Sequence, residues 1–299
     1  MSENNYGALM MKSPISASDN INTILSPGLY LIPPANSSSP DPAGGILTVH
    51  AGNPIRRVFI SDATIAMVST YNSTTSSWSA WNKPAGRLLK VRVITASGPY
   101  IETPGTNYCI AEIQGAGGAG GGALGGSASQ VSVATGGNAG AYIKHQFDTV
   151  PSGAMITIGS GGKGVPAANG NPGGATTFGT LTAPGGMGGI YYSPTTAPTY
   201  SFNIVSVTNV SGGNLANVSG IRGQPGQATS PVYGGSGDGG SSVLGGGGDG
   251  RGAINAPRNG NKASGYGSAG GGASCGGGST GNAAGGDGAD GVVILWEYA

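Results

Sequence analysis

The stretch GAGGAGGGALGG at residues 115–126 contains eight glycines in twelve residues. It follows directly on NYCIAEIQ (107–114), which has the alternating apolar pattern of a buried strand. Glycine loses more conformational freedom on folding than any other residue, and it has no side chain whose burial could offset that loss. An ordered fold in this region must therefore rest on main-chain hydrogen bonds and on close contact between backbones.

Glycine is concentrated in the later part of the chain, since 54 of the 62 glycines in 299 residues follow residue 114. Charged residues make up only 8% of the chain and the formal net charge is +1. Disorder driven by charge is therefore not expected, because it needs a high net charge. Nucleic acid is not an expected partner either, because its binding needs clustered positive charge.

Short apolar segments separated by Pro, Asn, Ser and Gly clusters predict an all-β protein. SPGLYLI (26–32) and GGILTVHAG (44–52) are two of several strand candidates in the N-terminal part. They predict a small β-rich module over residues 1–85, followed by a glycine-rich domain over residues 86–299.

Strand candidates also flank the glycine tracts on both sides. They predict a β scaffold over residues 86–160 and 291–298, the last segment being GVVILWEY. The glycine tracts and their loops, at 115–126 and 159–290, are therefore expected to be insertions into this scaffold rather than a tail.

An ordered glycine tract can adopt the polyproline II geometry, which has three residues per turn and no internal hydrogen bonds. Its N–H and C=O groups point outward, and only glycine lets neighbouring backbones approach closely enough to bond. The tracts lack the strict Gly-X-Y period of collagen, so they favour a glycine sandwich of short polyglycine-II-type helices. The alternative is an ordered β body that carries mobile glycine loops.

The loops between the tracts carry the larger side chains. IYYSPTTAPTYSFNIVSVTNV (190–210) contains no charged residue and is rich in aromatic residues. Aromatic and small polar residues on a rigid base are typical of recognition surfaces. The candidate receptor-binding residues are Tyr191, Tyr192, Tyr200, Phe202, Tyr233, Arg258 and Tyr266. The alternative for each tyrosine is that it covers the glycine bundle and excludes water.

Motifs for catalysis or cofactor binding are weak. Gly115, Gly117 and Gly120 match G-x-G-x-x-G, but no helix-forming sequence follows, so we expect no dinucleotide cofactor. His50 and His145 have no partners at metal-ligand spacing, and we expect no metal site. Few acidic residues are available to form a catalytic pair, so we expect no enzyme activity. Cys109 and Cys275 are expected to be free, buried thiols; a disulfide is the alternative.

The N-terminal module resembles the knob module of phage tail fibres and pyocin fibres. The marks of that module are an opening Thr/Ser-x-Gly-x-Tyr, a central Gly-x-Leu-x-Val and a closing pair of tryptophans. They correspond here to Ser26, Gly28 and Tyr30, then Gly45, Leu47 and Val49, then Trp78 and Trp81. An arginine common in the strand before the tryptophans is absent, and Ser69 lies near its place.

The second part resembles the glycine-rich C-terminal domain of many phage tail proteins. In that domain two strands lead into Gly-Ala-Gly-Gly, and a final Gly-Val-Val-x-Ile-x-Trp strand closes the fold. VRVITASGPYIETPGTNYCIAEIQGAGGAGGG (91–122) and GGDGADGVVILWEY (285–298) resemble this pattern, with Ile294 and Trp296 each one position earlier. This part is also similar to the glycine-rich adhesin tips of T-even-like phages, in which polyglycine helices carry receptor-binding loops.

These resemblances imply a phage tail fibre tip in the virion, made in the host cytoplasm. Its partners would be a bacterial outer-membrane protein or surface polysaccharide and other tail fibre proteins. They imply a homotrimer or, as in some adhesin tips, a monomer. The alternatives are a structural fibre joint or assembly cap that contacts only virion proteins, and an enzyme that degrades surface glycans.

Overall fold

The computed structural model describes residues 10–63, 66–82 and 86–299. The chain divides into two compact units, one extending to Arg87 and including Ala299, the other comprising Leu88–Tyr298. The division lies two residues beyond the boundary that the sequence predicts. Among the described residues the only helix is a single 3₁₀ turn, so the predicted all-β class is confirmed.

The first unit is an antiparallel meander of five strands in sequence order. The 3₁₀ turn, Ile21–Thr23, precedes strands β1 (Gly28–Ile32), β2 (Gly45–His50), β3 (Arg56–Ser61), β4 (Ala66–Asn72) and β5 (Ser77–Trp78). Their alternate residues form one core: Ile21, Tyr30, Ile32, Leu47, Val49, Phe59 and Met67. Three of the residues that carry the knob resemblance, Tyr30, Leu47 and Val49, thus belong to this core. The Tyr30 hydroxyl donates to the carbonyl of Ser26, another of these residues, at 2.8 Å.

The first unit contains a buried arginine that no sequence pattern had indicated. Arg57 pairs across the sheet with Ser69, and its guanidinium lies 4.1 Å from the ring centroids of both Trp78 and Trp81. It also donates to the side chain of Asn22 at 2.9 Å. Burial lowers its pKa to about 10, which still leaves it charged at neutral pH. Arg57 on β3 therefore places a cation between the tryptophans. The strand before the tryptophans, β4, carries Ser69 near the place where the knob module commonly has an arginine.

The second unit contains eighteen short strands, all paired antiparallel. They are β6 (Leu88–Ile94), β7 (Gly98–Pro99), β8 (Tyr108–Gln114), β9 (Gln130–Val133), β10 (Tyr142–Phe147), β11 (Met155–Thr157), β12 (Thr176–Phe178), β13 (Leu181–Ala183), β14 (Thr195–Thr196), β15 (Thr199–Ser201), β16 (Ala216–Val218), β17 (Gly226–Ser230), β18 (Tyr233–Gly235), β19 (Leu244–Gly246), β20 (Pro257–Arg258), β21 (Ser264–Tyr266), β22 (Ser274–Cys275) and β23 (Val292–Tyr298).

The scaffold of this unit is a five-stranded sheet in the order β16-β10-β8-β23-β6, packed against a four-stranded sheet in the order β13-β12-β11-β7. The hydrophobic residues of its core are Tyr100, Ala111, Ile113, Ile143, Ile156, Phe178, Leu181, Ala183, Val293 and Leu295. The two flanking strands that the sequence predicts, β8 and β23, lie side by side at the centre of the larger sheet.

A buried carboxylate joins the last strand to the turn after β7. Glu297 accepts hydrogen bonds from the Tyr100 hydroxyl at 2.7 Å and from the Thr103 hydroxyl at 2.5 Å, and Arg92 lies 3.6 Å away. Burial by itself would raise the pKa of this carboxyl, but the bonds from Thr103 and Tyr100, with Arg92, outweigh it and lower the pKa. Glu297 is therefore held as an anion within the sheet.

The glycine tract after β8 is buried and is enclosed by other segments of the chain. The N–H groups of residues 115–123 donate in turn to three different segments, 135–141, 168–174 and 283–289, and return to the same segment every third residue. The first set of bonds is Gly115 to Ala141, Gly118 to Asn138 and Gly121 to Thr135; the second is Ala116 to Gly174, Ala119 to Asn171 and Gly122 to Ala168; the third is Gly117 to Ala289, Gly120 to Gly286 and Ala123 to Ala283.

Further segments of the chain approach the tract so closely that no room is left for side chains at its glycines. A Cβ atom at Gly120 would overlap the carbonyl of Gly271, and one at Gly117 would overlap the carbonyl of Ser268. The alanines in the tract, Ala116, Ala119 and Ala123, are fully buried. Main-chain hydrogen bonding and close backbone contact therefore replace a side-chain core here, as the composition predicts.

Candidate functional site

The central glycine segment, 115–123, has two distinct ends. One end joins the scaffold, because Gly115 follows β8 directly and bonds to Ala141 at the start of β10. At the other end Ala123 bonds to Ala283 and pairs with Tyr192. We call these the scaffold end and the loop end.

The loop end carries the three-stranded sheet β15-β17-β18, which we call the loop-end sheet. Its inner side packs on a small apolar cluster formed by Val131, Val133, Ala228 and Ala253. Asn203, just after β15, anchors the sheet as well, since its buried side-chain amide donates to the carbonyl of Gly136 in the glycine core at 3.0 Å. The sheet is thereby fixed to the glycine core beneath it.

Three of the predicted aromatic residues meet on one edge of this sheet. Tyr200 lies on β15, 40% exposed, and the ring of Phe202 packs against it edge to face at 4.5 Å between centroids. The hydroxyl of Tyr192 donates to the carbonyl of Tyr200 at 3.0 Å. Tyr192 therefore supports the strand, whereas Tyr200 and Phe202 present exposed ring surface.

Tyr233 lies on the opposite edge of the loop-end sheet and is 76% exposed. Between the two edges, β17 presents Gln227, which pairs with Tyr200 on one side and Gly235 on the other. Two open depressions adjoin this face. The larger, about 450 Å³, is lined by Gln227, Thr229, Val232, Tyr233, Gly234, Gly235 and Ala253. The smaller, about 290 Å³, is lined by Pro198, Thr199, Tyr200, Gln227, Ala228 and Thr229.

The other predicted site residues lie apart from this face. Tyr191 is half-buried at the loop end, where its N–H donates to the side chain of Asn169 at 2.8 Å. Arg258 lies on β20, in a different sheet at the loop end, paired with Ser274. Tyr266 lies at the scaffold end, because the adjoining Gly267 touches Gln114 and bonds to Asp290.

Gln227 and Thr229 are central to the face but were not among the predicted residues. Both are exposed on β17, and the Thr229 hydroxyl donates to the carbonyl of Tyr233 at 3.2 Å. The one sequence signal for them is alternation, since GQATS (226–230) places every second side chain on the same side. That pattern does not say which side faces solvent, and so it does not single these two residues out.

Several ionisable residues of the second unit form ion pairs. Lys144 lies 3.0 Å from Glu112, and Lys163 lies 3.2 Å from Asp287. Within the described residues no group of three His, Cys, Asp or Glu side chains could hold a metal ion. In the same part of the chain no helix has the length and apolar character needed to cross a bilayer. Cys109 and Cys275 are free and buried, as predicted.

Comparison with known proteins bears on the second unit. A family model described as a glycine-rich domain matches residues 95–297, which span the scaffold, the glycine segments and the loop-end sheet. No curated protein sequence matches the chain. The match covers more than half of the chain, and the chain therefore belongs to the glycine-rich domain family.

Proposed function

We propose that this protein is the receptor-binding tip of a bacteriophage tail fibre and recognises a bacterial surface receptor through its loop end. The observation that carries the proposal is the exposed, uncharged aromatic face at the end of a buried, hydrogen-bonded glycine core. Recognition needs side chains held in place before the ligand arrives, because ordering them on binding costs free energy. A main-chain lattice can hold them while leaving loop sequences free to vary.

We also infer that the glycine segments are polyglycine-II-type helices. A helix with three residues per turn directs every third N–H toward the same neighbour, which is the period of the bonds made by residues 115–123. A crystal structure is expected to give φ near −75° and ψ near +145° through this segment. Extended β values with a two-residue alternation would contradict this inference.

The receptor-binding set in this proposal is Tyr200, Phe202 and Tyr233 on the loop-end sheet, with Tyr191, Tyr192 and Arg258 at the same end. Tyr266 is excluded from the set, since it lies at the scaffold end. The protein would act in the virion, at the fibre tip, after synthesis in the host cytoplasm. Its partner would be an outer-membrane protein or a surface polysaccharide.

The test is binding of the purified, fluorescently labelled protein to a panel of Gram-negative bacteria. We expect strong binding to particular strains, and Tyr233→Ala and Tyr200→Ala should weaken it at least tenfold. Tyr266→Ala is the matched control, because it removes an exposed tyrosine from the other end of the same unit, and it should bind as the wild type does. Wild-type protein that binds no strain would refute the proposal.

A structural joint or cap between fibre proteins is the second candidate, and one observation favours it. The outer face of the first unit's sheet exposes large aliphatic side chains in adjoining positions: Leu31, Ile46, Ile60 and Val68. Exposed apolar patches of this kind mark protein contacts. Ile60→Lys should then impair assembly of the fibre and leave cell binding intact, whereas Tyr233→Ala should do the reverse if the tip binds the receptor.

A further inference from the structure

We propose that the outer face of the loop-end sheet binds an uncharged saccharide, with Tyr200 and Tyr233 as stacking platforms and Gln227 and Thr229 as hydrogen-bonding groups. This assignment rests on the proposed function and names the chemical class of its receptor. Five properties of the face support it: its aromatic surface, its free polar groups, its lack of charge, its size and edges, and its rigidity.

The two tyrosines lie on opposite edges of the face, and β17 runs between them. Tyr233 is 76% exposed and Tyr200 is 40% exposed, so both rings offer surface to a ligand. A pyranose ring presents an apolar C–H face that packs against an aromatic ring. The depressions on the two sides share Gln227 and Thr229, so a ligand of more than one sugar unit can cross β17 and occupy both.

The polar groups between the tyrosines suit hydroxyl ligands. The Gln227 side chain is exposed and makes no hydrogen bond to the described part of the protein, so its amide can both donate and accept. The Thr229 hydroxyl donates its proton to the carbonyl of Tyr233 and retains its acceptor lone pairs. Sugar hydroxyls both donate and accept, and they therefore match this pair of groups.

The residues that line the two depressions carry no charge. Arg251, two residues before Ala253, donates to the side chain of Asn261 at 3.1 Å and is partly buried. Placing an anionic or cationic ligand on this face would cost desolvation with no opposite charge to offset it. The face therefore favours neutral sugars over acidic ones.

The size and edges of the face favour a saccharide over a protein partner. The depressions, about 450 Å³ and 290 Å³, lie at the lower end of the range for small-ligand sites. One edge of the sheet is closed to an added strand, because the N–H of Ala253 already donates to the carbonyl of Gly234 on β18 at 2.9 Å. A protein ligand would gain little from main-chain pairing there.

The face is also held in place before binding. The Tyr192 hydroxyl fixes the backbone of Tyr200, and Phe202 packs against its ring. Below the sheet, Ala228 is buried on the apolar cluster with Val131 and Val133. A preorganised face matters for saccharides, since their individual contacts are weak and leave little free energy to order the protein.

The experiment uses the full chain and a bacterial strain that the wild-type protein binds. Cells are treated with periodate, which cleaves the vicinal diols of sugars, or with a protease, which removes exposed protein. We expect periodate to abolish binding and protease to leave it unchanged. Protein-free polysaccharide extracted from the same strain should compete with the cells.

The variants assign this binding to the face. Gln227→Ala and Tyr233→Ala should each weaken binding of the extracted polysaccharide at least tenfold, and Tyr266→Ala should not. The folded state of each variant is checked by circular dichroism. Added free sialic acid or another acidic sugar should compete no better than a neutral one.

The outcomes separate the two proposals. Binding that resists periodate and is lost on protease treatment would overturn the saccharide assignment and leave the adhesin proposal standing. Polysaccharide binding that survives both Gln227→Ala and Tyr233→Ala would overturn the assignment to this face. Wild-type protein that binds no strain would refute the adhesin proposal, and the saccharide assignment with it.

Discussion

Replacing Gly120 with alanine tests whether backbone contact holds the glycine segments together. The Cβ of an alanine would overlap the carbonyl of Gly271, so the two segments must separate by about 1 Å or more to restore normal van der Waals contact. The N–H of Ala273, on the segment that carries Gly271, now donates to the carbonyl of Gly121 at 2.9 Å, and a bond lengthened by that amount is lost.

The expected loss of stability follows from the groups left unpaired. A buried donor and a buried acceptor, each costing about 1–3 kcal/mol, give a penalty of about 2–6 kcal/mol. Alanine has less conformational freedom than glycine in the unfolded chain, and this offsets about 0.4–1 kcal/mol of that penalty. We therefore expect Gly120→Ala to lower the free energy of unfolding by about 1–6 kcal/mol, a large part of the stability of a typical domain.

Guanidinium unfolding followed by circular dichroism measures this difference, and hydrogen exchange at the Gly270 and Ala273 amides, which donate to Gly118 and Gly121, locates it. Gly98→Ala is the matched control, because nothing lies within 4 Å of a Cβ at that position and its φ is not in the left-handed region. That variant should be neutral or slightly stabilised. If Gly120→Ala is as stable as the wild type or more so, the segment is not closely packed and the reasoning is refuted.

Three further predictions concern the rest of the chain. Arg57→Lys should destabilise the first unit by about 2–5 kcal/mol, because lysine cannot pack flat between Trp78 and Trp81 or bond to both Ile21 and Asn22. Thermal unfolding monitored by tryptophan fluorescence measures this loss. An unchanged midpoint of unfolding would contradict the prediction. The pKa of Glu297 is lowered, so its contribution to stability is present above the ordinary carboxyl pKa and is lost as the pH falls through its folded value. Glu297→Gln should therefore unfold more readily at pH 7 and lose less stability than the wild type as the pH falls below the ordinary carboxyl pKa. Parallel pH slopes for variant and wild type would count against this role. Burial raises the pKa of Cys109 to about 11, and Cys275 is buried as well. Both thiols should therefore react with a thiol-specific reagent only after the protein unfolds. Rapid labelling of the native protein would contradict this prediction, because it would show that the thiols are accessible.

Local sequence pattern predicted much of the scaffold. The alternation in 107–114 and the apolar run in 291–298 identified β8 and β23, because a half-buried strand imposes a two-residue period on its own side chains. Leu47 and Val49 of β2, which are buried in the core of the first unit, follow the same two-residue period. The role of Arg57 could not be predicted in this way, because its partners Trp78 and Trp81 lie more than twenty residues away and no local pattern links them.

The candidate site was predicted in part. Tyr200, Phe202 and Tyr233 were identified from their setting in uncharged loops, and the structure places them on one small sheet. Gln227 and Thr229 were not identified, because only the pairing of β17 with β15 and β18 gives them a central position. Tyr266 also lies in a loop segment between glycine tracts, and sequence alone could not show that it lies at the opposite end.

Sequence by itself determined that this protein is all-β and that its glycine tracts must be held by main chain, since a residue without a side chain can contribute nothing else. Which segments surround residues 115–123, and which loops therefore meet at the same end, was decided by tertiary structure alone. The physical reason is that side chains select their partners by size, charge and polarity, whereas the N–H and C=O groups of one glycine are identical to those of every other. The glycine sequence therefore does not specify which segments pair.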